Sequence, residues 1–560
     1  YAITHNIILC YNLLFLSTFV LSGLGMFLFV REVTASPRAG FVAGLLYAFA
    51  PLRVPQFAHL QVISSQWMPF ALYGLRRYFD SRPPATGGRP LGPLAGAALA
   101  LIAQNLSCGY FLVFFAPCVL AYALFEIAAR KLWLDLRMWM ELAAAGLCVA
   151  LATLPFLTPY LELRRLGFPP RSYSEVSSYA ADVYSYWTSP AESRLWGRAI
   201  RAFPKAEGDL FPSITTLALA LVGLVASIRS AWQRSRGSIA AVPVLTIFVI
   251  VVASACALYS LFVVLIITGH GFADLGPLPI SVKSLVRNFQ ILLVALAVLL
   301  AASPRARSWA AQWSTSVAGF ALLLALATFV LSLGPEIRTM GRTLRGTTPY
   351  AFFYWHVPGF DGLRVPARYG MLTAMYLAIL AGFGAAFLER RLRRAWLVVA
   401  IGTVVVVESI AAPIVINGTG PEADFATPPS HMMTGDRVPD VYRYLKTLPS
   451  PQTVVAEFPL GQWTYELRYV FYAAAHWHPI INGYSGTFPL SYDMRAAVLR
   501  RPEENPVEAW NTLIASGATH AVVHEKFYKD GRGKAVSAWL ASHGARETAE
   551  FDGDKVFALQ

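Results

Sequence analysis

Pro366-Ala367-Arg368-Tyr369-Gly370-Met371-Leu372-Thr373-Ala374-Met375-Tyr376-Leu377-Ala378-Ile379-Leu380-Ala381-Gly382-Phe383-Gly384-Ala385-Ala386-Phe387 is the stretch that decides the fold. After Arg368 it carries no charge until Glu389, and it then closes on Arg390, Arg391, Arg393 and Arg394. A helix needs about 20 apolar residues to cross the hydrocarbon of a bilayer. The run from Ala367 to Phe387 meets that length, and its basic end is what the cytoplasmic side of a membrane helix carries.

The same reading extends in both directions. Apolar segments fall at 7–30, 39–50, 63–75, 91–107, 109–128, 139–160, 211–228, 240–267, 286–302, 315–333, 367–387 and 395–415. The second and third are too short to span alone, so they either borrow flanking residues or fold as a hairpin that crosses in part. Every second loop is basic: Arg31 and Arg38; Arg76, Arg77, Arg82 and Arg89; Arg130, Lys131 and Arg137; Arg229, Arg234 and Arg236; Arg305 and Arg307; Arg390 to Arg394. Six loops in alternation place these on the cytoplasmic side and the remaining loops outside. Tyr1 then also falls outside, which predicts a further crossing upstream and thirteen or more in the full protein.

The composition agrees. Of 560 residues, 56% are hydrophobic and 14% charged, against roughly 25% charged in soluble domains. The 46 Lys+Arg outnumber the 32 Asp+Glu, but the excess sits in the basic loops, so nucleic-acid binding is not expected. Cys10, Cys108, Cys118, Cys148 and Cys256 all lie in apolar runs without metal-ligand spacing. No disulfide framework is offered.

The fold class is thus an α-helical polytopic membrane protein of about twelve segments with a C-terminal soluble α/β domain. The bundle covers 1–416, with long outer loops at 163–210 and 334–366, and the extracytoplasmic (periplasmic) domain covers 417–560. In that domain helices are expected at Val441–Leu448, Pro506–Ser516 and Lys534–His543. Strands are expected at Thr453–Phe458, Pro479–Asn482 and Thr519–His524. Asp552-Gly553-Asp554 reads as the tight turn of a hairpin from Arg546–Phe551 to Lys555–Ala558. There is no Gly-rich phosphate loop and no internal repeat.

Four groups of residues carry a resemblance: Tyr11-Asn12-Leu13-Leu14 with Leu21-Ser22-Gly23-Leu24-Gly25-Met26; Phe49-Ala50-Pro51 with His59-Leu60-Gln61 and Gln66-Trp67-Met68-Pro69; Pro358-Gly359-Phe360 with Leu363-Arg364-Val365-Pro366-Ala367-Arg368; and Asn482-Gly483-Tyr484-Ser485-Gly486. Together they resemble bacterial multi-spanning inner-membrane proteins near the GT-C glycosyltransferases, relatives of the mannosyl- and aminoarabinose-transferases. The resemblance implies a polyprenyl-phosphate sugar as donor. It also implies a key acid in the first outer loop, which here would lie upstream of Tyr1, so that residue has no counterpart to name.

Basic residues where the positive-inside bias makes them scarce are the main chemical candidates. Arg364 and Arg368 lie one helical turn apart at the outer start of the eleventh segment, and Lys283 and Arg287 do so at the ninth. Helix N-termini with nearby cations suit a donor phosphate, and Arg53 is a candidate to join them. The alternative is that they snorkel to headgroups or pair with acids such as Asp361. Glu408 follows four valines; a charge at mid-membrane costs on the order of 3 kcal/mol, so it is either functional, near the outer end, protonated or paired. Glu162, Glu175 and Asp182 are candidate bases or merely solvated. His59, Gln61 and Gln66 either bind sugar hydroxyls or cap a re-entrant turn. His476 and His478, on one expected strand face with Glu457, form a weak metal set. With Glu466, Asn482 and Tyr484 they also suit sugar or acceptor binding, or plain core packing.

The expected activity is transfer of a sugar from a polyprenyl-phosphate donor to an acceptor at the outer face. The rivals are a transporter or flippase of lipid-linked sugars and a non-catalytic envelope assembly protein. Membrane lipids are the other expected partners. No cofactor is assigned, and a divalent metal stays open.

Overall fold

A computed structural model of the chain describes residues 6–81, 90–165, 170–235, 294, 297–298, 300–301, 303–394, 396–414, 425–429, 431–486 and 488–559. Two compact units divide it: Leu14–Pro413, and Ile414–Gln560 with Tyr1–Leu13.

The first unit is built from helices α1 (Ile7–Thr34), α2 (Pro37–Ala48), α3 (Trp67–Asp80), α4 (Gly92–Ser107), α5 (Gly109–Arg130), α6 (Leu136–Thr153), α7 (Ile214–Arg234), α8 (Pro304–Ser314), α9 (Val317–Ser332), α10 (Gly370–Leu392) and α11 (Trp396–Ser409). Side-chain caps written in the sequence set several starts. Ser36, Asp135, Ser213, Ser303 and Ser316 each accept the backbone N–H three residues on, at 2.9–3.2 Å.

Among the described residues five helices are long and apolar enough to cross a membrane: Ile7–Thr34, Gly109–Arg130, Leu136–Phe156, Ile214–Arg234 and Pro366–Leu392. A sixth crossing results if α8 and α9, bent by 75°, form one broken span. These spans among the described residues account for part of the twelve expected segments. Runs 240–267 and 286–302 lie almost wholly outside the described residues. Runs 39–50 and 63–75 become α2 and α3, only 12 and 14 residues long. The chain between them contains Pro51 and Pro55, and proline has no N–H to continue a helix. The last run stops as a 14-residue α11.

Backbone contact through glycine holds the bundle. A Cβ on Gly384 of α10 would lie 2.0 Å from the Leu219 carbonyl oxygen of α7, and one on Gly223 of α7 would lie 2.1 Å from that of Leu380. Small residues allow such approach where no hydrophobic gain separates helix from lipid. Many loop arginines are paired. Arg76 meets Asp80 at 2.7 Å and Glu126 at 3.0 Å, and Arg130 meets Glu126 at 2.9 Å.

A short hairpin, β1 (Glu336–Thr339) with β2 (Arg342–Thr347), follows α9. In the second unit β3 (Val455–Phe458), α12 (Trp463–His476), α13 (Leu490–Leu499), α14 (Pro506–Ala515), β4 (His520–His524), α15 (Arg532–Ser542), β5 (Arg546–Phe551) and β6 (Asp554–Ala558) follow in order. The sheet runs β3-β4-β6-β5, parallel between β3 and β4 and antiparallel elsewhere. Asp552 and Gly553 take φ of 45° and 79°, which suits the expected two-residue turn. Pro479–Asn482, expected as a strand, makes an isolated parallel bridge from Ile480 to Val455.

Candidate functional site

Arg368 lies in the 3-10 turn Pro366–Tyr369 that leads into α10. Its side chain is buried, and its Nη2 donates to Glu207 Oε1 at 2.7 Å. The guanidinium also covers the Tyr110 ring, 4.5 Å from the centroid. Gln56 Nε2 donates to the other oxygen of Glu207 at 2.7 Å. Glu207 holds a left-handed φ of 59°, rare for a residue with a side chain. Leu210 packs on Gly370, where a Cβ would approach Leu210 to 3.0 Å, so the segment before α7 sits against the start of α10. α5 begins at the same place through Tyr110.

Arg364 lies over Tyr179, 4.9 Å from its centroid, with Nε 4.0 Å from Glu175 Oε1. Arg171 takes the same oxygen at 3.3 Å, and its backbone N–H donates to the Asp361 carbonyl at 2.9 Å. Arg164 pairs with Asp361 at 2.7 Å. Electrostatically His59 feels Arg368, Glu207 and Arg364; burial first, then Arg368, holds its imidazole below the ordinary value.

Two features give this cluster chemistry. The N-termini of α5 and α10 meet here, and helix N-termini carry partial positive charge. Second, Arg368 Nε and His59 Nδ1 are buried with no hydrogen-bond partner. A buried donor left unpaired costs on the order of 1–3 kcal/mol. A cationic donor left open beside a second arginine is what an anionic oxygen would fill.

The remaining candidates sit elsewhere. Arg53 is fully buried in the turn Pro51–Gln56, where it donates to Ser65 Oγ at 3.1 Å and the Ile63 carbonyl at 2.9 Å, and covers Phe19. Its Nε, like that of Arg368, is buried with no hydrogen-bond partner. Gln66 is buried, while Gln61 is exposed on the helical turn Leu60–Ile63. Glu162 is exposed beside Arg165 at 3.6 Å. Asp182 is a buried cap: its carboxylate accepts Tyr184 N and Gly341 N, each at 3.0 Å. Glu408 is buried, but it accepts Trp196 Nε1 at 3.1 Å and the Thr215 N–H at 3.2 Å, in the first turn of α7. A carboxylate is stabilised there by the helix dipole. Lys283 and Arg287 lie outside the described residues.

In the second unit the expected strand face of His476 and His478 is corrected. His476 ends α12, and Trp477 turns the chain with a φ of 61°. His476 Nδ1 accepts the His478 N–H at 3.1 Å, and His478 Nε2 bonds the Leu445 carbonyl at 2.8 Å. Burial and then the neighbouring His478 push His476 down to about 4. Glu457 is taken by other partners: Tyr442 Oη at 2.9 Å and His524 Nε2 at 3.0 Å. Among the described residues no group of three ligating side chains could hold a metal. Asn482 brackets the Glu457 backbone, accepting its N–H at 2.7 Å and donating to its carbonyl at 2.9 Å. Glu466 binds the Gly461 and Gly483 N–H groups, each at 2.7 Å. Burial pushes its carboxyl up to about 7, with those hydrogen bonds opposing. Tyr484 is exposed.

Sequence reasoning brought Arg364, Arg368 and His59 forward, and the fold gathers them. It missed Glu207, Gln56 and Tyr110. No linear spacing links residue 207 to 368; the one local sign is Glu207-Gly208-Asp209 just ahead of the Ser213 cap.

No family model matches the chain, and no curated protein does. Two crystal structures do, both of ArnT from Cupriavidus metallidurans. The one bound to undecaprenyl phosphate covers 98% of this chain and 84% of that one, at 14% identity and a TM-score of 0.33. The apo form covers 97% and 83%, at 15% identity and a TM-score of 0.30. Likeness at that level transfers no residue roles.

Proposed function

We propose that this protein is a membrane glycosyltransferase of the GT-C kind, which moves a sugar from a polyprenyl-phosphate carrier to an acceptor at the outer face of the membrane. The observation that supports it most is the pair of buried unpartnered nitrogens, Arg368 Nε and His59 Nδ1, beside Arg364 and two helix N-termini. In the transfer an acceptor oxygen bonds to the anomeric carbon as its hydroxyl proton passes to solvent, and the bond from that carbon to the phosphate oxygen breaks. The electron pair leaves with the polyprenyl phosphate, which gains negative charge. Arg364 and Arg368 hold that phosphate, and their stabilisation grows as the charge develops. Glu207 and Gln56 fix the Arg368 guanidinium, and Tyr110 supports its face. Glu175 and Arg171 do the same for Arg364.

The test uses the full protein in lipid, with radiolabelled polyprenyl-phosphate sugars and a membrane-lipid extract as acceptor. Loss of a donor to developing charge costs about 10²–10³ in rate. Arg364→Ala/Arg368→Ala is expected to lose transfer by at least that factor per folded protein, the folded fraction being read from the thermal midpoint because Glu207 loses its buried partner. Absence of both transfer and donor binding across the panel overturns the proposal.

A further inference from the structure

Helix α12 is apolar on two opposite faces. Tyr465, Tyr469 and Tyr472, with His476, are buried and build the core of the second unit. Trp463, Leu467, Val470 and Ala474, continued by Trp477 at the C-cap, are all exposed. Their spacing of 4, 3, 4 and 3 lays them in one stripe along the helix. Trp477 is 81% exposed in a left-handed backbone conformation, and Trp463 is 49% exposed at the other end. Arg468, on the flank, is turned aside to the Pro429 carbonyl at 3.1 Å and lies over the Tyr472 ring. No charged side chain therefore interrupts the stripe.

We infer that this stripe lies in the interfacial layer of the bilayer, with its two tryptophans at headgroup depth. Three arguments select lipid as the occupant. Tryptophan favours the membrane–water interface, where its ring is half apolar and its N–H stays hydrated. A helix lying in that plane presents one continuous apolar face. The third argument is the tether: ten residues, 415–424, separate Ile414 from Phe425, and ten residues reach at most about 36 Å. A unit carried on the same chain as the candidate span Pro366–Leu392 meets a bilayer at high effective concentration, whereas a second copy must be found by diffusion.

The experiment uses the full protein in nanodiscs of phosphatidylcholine doped with a diazirine-bearing phosphatidylcholine. After photolysis, lipid adducts are mapped by peptide mass spectrometry. Adducts on the peptide 463–477 are expected at a yield comparable to that of exposed α1 residues, and above that of the exposed peptide 500–505. Leu467→Glu/Val470→Glu changes only exposed positions. It is expected to cut adducts on 463–477 by at least about tenfold, the cost of placing two carboxylates in the apolar layer, while adducts on α1 hold. Unchanged circular dichroism shows that the variant folds. Wild-type labelling no higher than at 500–505 overturns the inference. So does shielding from lipid accompanied by protein–protein cross-links through 463–477, which would give the face to a second copy or another protein surface.

Discussion

His524 offers a pH test of the second unit with a calculable size. It is buried between two carboxylates, Nε2 3.0 Å from Glu457 and Nδ1 2.9 Å from Asp554. Burial alone would push its imidazole down; the hydrogen bonds and charges of Asp554 and Glu457 outweigh that and push it up to about 9, from an ordinary 6.5. A group whose folded value is raised contributes stability that is complete below its unfolded value. That stability is lost as pH rises through the folded value. The window is therefore about pH 6.5 to 9, and at about 1.4 kcal/mol per pH unit the loss comes to roughly 3 kcal/mol. The perturbation is a shift from about pH 6.5 to about pH 9.5, in wild type and in His524→Gln. The readout is hydrogen exchange of peptides covering β3, β4 and β6, corrected for intrinsic rates. Protection in wild type is expected to fall on the order of 100-fold across the window. In His524→Gln it is expected to be lower at pH 6.5 and nearly flat. Glu466, with a value of about 7, also loses stabilisation as pH rises, but mostly below pH 7, and the variant retains it. A wild-type profile as flat as that of His524→Gln would refute the reasoning.

Two further expectations concern the bundle. Gly384→Val places a side chain against the Leu219 carbonyl, where even a Cβ comes to 2.0 Å; overpacking of this kind costs about 1–3 kcal/mol or more. A marked fall in the thermal midpoint of the detergent-solubilised protein is expected, and an unchanged midpoint would mean that α7 and α10 do not meet there. Glu408→Ala leaves the Trp196 indole and the Thr215 N–H without their acceptor, at about 1–3 kcal/mol each. Glu408→Gln keeps one acceptor oxygen, so the expected order of thermal midpoints is wild type, then Gln, then Ala. An Ala variant as stable as wild type contradicts the capping role.

The linear sequence carries some elements strongly. The runs that became α1, α5, α7 and α10 were legible because apolar length and basic ends are local properties. β4, β5 and β6 were legible from alternation and a turn that needs positive φ. α12 was not. With tyrosines on one face and Trp463, Leu467 and Val470 on the other, it shows no single apolar side, so the 3.6-residue period is hidden. The spacing of His476 and His478 therefore suggests strand neighbours, whereas a left-handed Trp477 separates them at the end of α12.

The site divides in the same way. Arg364 and Arg368 stand out because cations are scarce in such a position along a membrane chain, and that expectation depends on composition alone. The sequence cannot say what each buried cation meets. Arg53 and Arg368 look alike in one dimension; the fold gives Arg53 neutral acceptors, Ser65 Oγ and the Ile63 carbonyl, gives Arg368 the Glu207 carboxylate, and leaves the Nε of both without an acceptor. Glu408 stood out as an intramembrane acid, and only the arrival of Trp196 and Thr215 made it a helix cap. Local chemistry sets where helices, strands and charges fall. Which polar atoms end up paired depends on segments more than 150 residues apart meeting, as Glu207 and Arg368 do, and hydrogen bonding has no sequence range.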